Sequence, residues 1–69
     1  MTNLEMRDMV RDACDVLDVY LEHSLIKGIA DKLEDLVIFY KGKDLSEKYL
    51  NRKYKEFCIK EIKHWKGIK

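Results

Sequence analysis

The chain holds no proline, three glycines, two cysteines and one tryptophan in 69 residues. Without proline it belongs to neither the collagen-like nor the proline-rich class. So few glycines also disfavour a turn-dense β-sandwich. The longest uninterrupted apolar run is Leu36–Tyr40, far short of the roughly 20 residues that cross a bilayer. No apolar segment of the signal-peptide kind follows Met1. Cys14 and Cys58 are too few for a disulfide framework. They are expected to be free thiols in a reducing, cytoplasmic setting. No Gly-rich phosphate loop, nucleophile elbow or zinc-protease motif is present. The chain is therefore expected to be no enzyme, and to use no cofactor, small-molecule substrate or membrane.

What is present is apolar and charged matter in nearly equal parts. Hydrophobic residues are 46% of the chain and charged residues 39%, too apolar for a disordered tail. The formal net charge of +1 conceals an asymmetry. Residues 1–35 carry nine acids and four bases, whereas residues 36–69 carry four acids and ten bases. The two halves are electrostatic opposites.

Spacing predicts three helices. Thr2 and Glu5 stand at capping-box distance, so a helix is expected to start at about residue 3 and run to about 27. At about 100° per residue, Met9, Val10, Ala13, Cys14, Val16, Leu17, Tyr20 and Leu21 share one arc. Asp8, Asp12, Asp15, Asp18 and Glu22 fill the opposite arc. The Met-rich start is read as adaptable core filler. A second helix is expected over 29–41, with Ile29, Ala30, Leu33, Leu36, Val37 and Tyr40 in phase, continuing from Ile26. Ile38 and Phe39 widen its apolar girth, which suggests a central helix covered on two sides. Lys41-Gly42 is a candidate stop. Asp44 with Glu47, or Ser46, can then cap a third helix over 45–66. Its stripe is Leu50, Tyr54, Phe57, Cys58, Ile62 and Trp65.

Gly28 is the expected joint between the first two helices. A break there gives a small antiparallel three-helix bundle, all-α, in a single domain over 1–69. Without a break, one helix of about 60 Å at 1.5 Å per residue would form a long hairpin completed by dimerisation.

His23, His64, Cys14 and Cys58 are the soft metal ligands, and their spacing matches no structural zinc site. No metal site is expected, and both thiols read as core. The aspartate row of the first helix reads as a solvated face. The third helix carries the main candidate surface, formed by Lys48, Arg52, Lys55, Ile59, Lys63 and Lys66. Lys53 and Lys60 widen its basic face, and Tyr49 and Ile59 stand among its cations. Such a face suits a protein partner with an acidic patch, with Ile59 and Tyr49, expected to be exposed, as apolar anchors. The alternative is nucleic acid met through the same cations. A homodimer in which acidic and basic faces meet is a further expectation.

In part, the chain resembles the Hha/YmoA family of nucleoid-protein modulators. The likeness rests on length, on Cys14 with Asp18, on Phe39-Tyr40 followed by Asp44, and on the closing Trp65-Lys66. The family's Ala-Ala-Asp-His-Arg stretch is replaced here by Lys41-Gly42-Lys43-Asp44-Leu45. No functional residue is carried over from it.

Overall fold

Thr2 opens the first helix by the mechanism its spacing predicts. Its hydroxyl accepts from the Glu5 amide at 3.2 Å, and its own amide donates to Glu5 Oε1 at 3.0 Å. The computed structural model describes residues 1–68. They form three helices, α1 (Asn3–Leu17), α2 (His23–Tyr40) and α3 (Glu47–Lys66), each packed on the other two. The fold is a small all-α bundle, as expected.

The joint between α1 and α2 is not where glycine suggested. The expected helix over 3–27 ends at Leu17, and Asp18 turns left-handed at φ 54°, ψ 48°. The Asp18 amide donates to Asp15 O at 3.1 Å and the Val19 amide to Cys14 O at 3.0 Å. This is a Schellman end, with aspartate where glycine is usual. Asp is one of the few side chains that tolerate this conformation. Gly28, the expected joint, lies inside α2, and a Cβ there would meet nothing within 4 Å. The expected 29–41 helix therefore begins at His23. The break at Asp18 also removes the long-hairpin alternative.

Gly42 does what its position promised. Tyr40-Lys41-Gly42-Lys43 makes a type II turn, with Lys41 at φ −61°, ψ 132° and Gly42 at φ 84°. The Lys43 amide closes it onto Tyr40 O at 3.1 Å. Positive φ at the third position of this turn is why glycine stands there. Ser46, rather than Asp44, caps α3, accepting from the Tyr49 amide at 3.1 Å. The helix therefore starts at Glu47 instead of 45. Gly67 ends it left-handed, with the Ile68 amide on Lys63 O at 2.9 Å.

The core draws on all three helices. Met6, Val10, Ala13 and Cys14 come from α1, and Leu21 from the connection. Ile26, Ile29, Ala30 and Leu33 come from α2, and Tyr54, Cys58 and Ile62 from α3. Three expectations about apolar faces are corrected. Val16 and Tyr20, placed in the buried arc, are 74% and 77% exposed. Trp65, placed in the α3 stripe, is half exposed and lies edge-on to His64. Ile38 and Phe39 face solvent, so α2 is covered on one side only. A bundle of three helices gives each helix one inward arc, and residues at its margins stay outside.

Contacts between helices set their directions. Lys32 of α2 pairs with Glu61 of α3 at 3.1 Å, while Tyr40 meets Tyr54 at 6.3 Å. Rising numbers in α2 thus meet falling numbers in α3, so the two are antiparallel. Met6 near the start of α1 shares a cleft with Tyr40 at the end of α2, so those two are antiparallel as well. It follows that α1 and α3 point the same way. The 20-residue α3, about 30 Å long at 1.5 Å per residue, spans most of the 34 Å long axis.

Candidate protein-binding surface

Side-chain direction on α3 follows from its core contacts. Tyr54, Cys58 and Ile62 point inward at i, i+4 and i+8. Residues about 60–140° around the helix from that seam emerge beside α1. These are Lys48, Arg52, Lys55, Ile59 and Lys66, with Lys63 at the margin. Lys48, Arg52, Lys55 and Lys66 are exposed, and Lys63 is half-buried. Among the described residues, none of these five cations forms an ion pair. The three ion pairs among the described residues lie elsewhere, at Arg11–Asp8, Lys32–Glu61 and Lys53–Glu56.

Two candidate anchors sit differently from expectation. Ile59 does not stand free among the cations, because it is half-buried and packed against the core. Tyr49 is half-buried too, with the Arg52 guanidinium and the Lys53 ammonium each 5.5 Å from its ring centre. Both cations are drawn to the negative face of that ring. Ile59 therefore offers an apolar edge rather than a projecting plug.

The structure adds a neighbour that the sequence did not place. A groove of about 520 Å³ runs between α1 and α3. Its α3 wall is formed by Glu47, Asn51, Lys55 and Ile59, and its α1 wall includes Glu5, Asp8 and Asp12. Met9, Ala13 and Val16 supply apolar surface between the charged rows. Because α1 and α3 run in parallel, these walls stay in step along the groove. Asp8, Asp12 and Val16 climb at four-residue intervals on one side, as Asn51, Lys55 and Ile59 do on the other. Lys55 is shared by this groove and the outer face of α3 that carries Lys48 and Arg52, so the basic face of α3 borders the acidic row of α1. The helical periodicity of each segment was legible in the sequence. The adjacency of the two rows was not, because it depends on α1 and α3 being neighbours.

Both cysteines are buried in the core. Cys58 is fully buried, and burial, with the neighbouring Cys14 and then Glu61, pushes its thiol up to about 12. Cys14 is raised as well, chiefly by burial. Both thiols therefore stay protonated and act as small apolar groups. Among the described residues, no group of three or more His, Cys, Asp or Glu side chains converges on one point. No helix among them is long and apolar enough to cross a membrane. No family model, curated protein or solved structure matches this chain.

Proposed function

We propose that this protein is a small non-enzymatic regulatory or adaptor protein that binds another protein through the basic face of α3. The observation that carries the reading is the row of Lys48, Arg52, Lys55 and Lys63 beside Ile59, charged and without ion-pair partners among the described residues. Cations already paired within the chain have little left for a partner. Unpaired cations at an apolar edge supply steering and register, and the apolar edge supplies burial.

The α1 acids narrow the class of partner. A broad acidic surface laid over α3 would also cover Glu5, Asp8 and Asp12 and be repelled by them. A narrow acidic row, such as one face of a helix, meets the α3 cations without that penalty. The same geometry counts against duplex nucleic acid, whose charge extends on both sides of any contact. Nucleic acid is the second reading, and it uses the same α3 cations.

Titration with an acidic helical peptide, followed by amide chemical shifts, tests the proposal. Shifts are expected to concentrate on residues 48–63 and to vanish in Arg52→Glu/Lys55→Glu. Shifts unchanged by that double reversal would refute it. Tight binding of random duplex at physiological salt, lost steeply as salt rises, would replace it with the nucleic-acid reading.

A further inference from the structure

We infer that the α1–α3 surface is self-complementary, and that its occupant is the same surface of a second copy of this chain. The inference rests on the reading of α3 as a docking face and names the acidic helix that face takes. The groove carries an acidic wall on α1 and apolar surface at its floor, and its α3 wall holds Lys55, with Lys48 and Arg52 on the adjoining outer flank of α3. A two-fold axis parallel to the groove exchanges left and right walls between facing copies. It therefore lays α1 of each copy over α3 of the other, the acid row against the side of α3 that carries Lys48, Arg52 and Lys55. Position along the groove is preserved by this rotation. Asp12 of one copy then comes over Lys55 of the other, and Val16 comes over Ile59. Val16 is 74% exposed in the single chain, so the pairing covers apolar surface that the bundle leaves wet. One patch serves both partners, which is the isologous arrangement of a closed dimer.

Other orientations fail on charge. An axis across the groove would set α1 over α1, with Glu5, Asp8 and Asp12 facing their own copies. Glu47 stands at the Met1 end of the groove with Lys48 beside it, and Glu56, on the outer flank of the same side, is paired with Lys53. The pairing relies on solvent-exposed charges, so the dimer is expected to be weak and salt-sensitive. Its dissociation constant should fall in the micromolar range and rise as screening grows.

Sedimentation velocity on the full chain, with reciprocal charge reversals, tests this. D8K/D12K leaves both walls of a copy basic, and R52E/K55E leaves both walls acidic. All four positions are exposed, so the fold should survive, and far-UV circular dichroism checks that it does. The wild type is expected to dimerise in low salt and to dissociate as salt rises toward about 0.5 M. Each variant alone should dimerise at least about tenfold more weakly, since like charges then face each other. An equimolar mixture of the two should regain the dimer. D31K/D35K has the same net charge as D8K/D12K but places it on the outer side of α2. It should dimerise like wild type and fail to rescue R52E/K55E. A wild type that stays monomeric up to about 1 mM in low salt would overturn the inference. It would leave a foreign acidic helix as the partner of α3, which the peptide titration tests separately. Variants that dimerise as well as wild type, or a mixture that does not recover, would also overturn it.

Discussion

Replacing Gly28 with alanine should stabilise the protein. Gly28 is exposed, lies five residues into α2, and has no positive φ. A Cβ added there meets nothing within 4 Å. No steric term therefore opposes the change, and only the backbone terms remain. Glycine in a helix interior is worse than alanine by about 0.8–1.0 kcal/mol. Most of that difference arises in the unfolded chain, where alanine has fewer conformations to lose. With about 2.1 cal/mol/K of unfolding entropy per residue, a chain of 69 residues should gain about 5–7 °C in Tm. Urea and thermal unfolding followed by far-UV circular dichroism read both quantities. Gly42→Ala is the matched control, because the same side chain is added at φ 84° with open space around it. It should lose about 1 kcal/mol, since L side chains pay for a left-handed backbone. A Gly28→Ala variant less stable than wild type would mean that the chain bends at residue 28 and that α2 is not continuous.

Three further expectations follow from the caps and the core. Asp18→Gly should stabilise by up to about 1 kcal/mol, because it relieves a left-handed non-glycine and removes an acid from the C-terminal end of α1; Asp18→Val should do the reverse, and both read out in Tm. Ser46→Ala should lose about 1 kcal/mol through the α3 cap, whereas Asp44→Ala should change stability little; equal losses at both positions would restore Asp44 as a cap. Stability should decline as pH rises from about 9 toward 12. The unfolded Cys58 thiol ionises near its ordinary 9.0, while the folded thiol holds its proton up to about 12. Above pH 9 the unfolded state therefore binds fewer protons, and the stability fully present below that value is lost progressively. Urea midpoints across that range check the sign, and Cys58→Ala should flatten the slope.

Much of the fold was legible in the chain. Thr2 with Glu5, Gly42 after Tyr40, and the apolar spacing of residues 26–40 and 50–62 are local signals, and each kept its meaning in the structure. The break between α1 and α2 was hidden, for a physical reason. Leu17, Leu21 and Leu25 keep a four-residue spacing straight through the connection, so periodicity alone continues the helix. Leu21 is buried from the turn itself, and Asp18 ends α1 in a conformation usually left to glycine. Glycine at 28 drew attention because of what it permits, yet nothing there requires that freedom.

Charge divides along the same line. Composition and spacing alone make the first half acidic, the second basic, and each helix amphipathic. Which faces become neighbours depends on how the helices pack. Two reversals of direction make α1 and α3 parallel and adjacent, and packing of Met6, Val10 and Cys14 near Tyr54, Cys58 and Ile62 turns their flanks to one groove. Side chains more than forty residues apart in the chain, such as Asp12 and the oppositely charged Lys55, then line the two walls of a single surface.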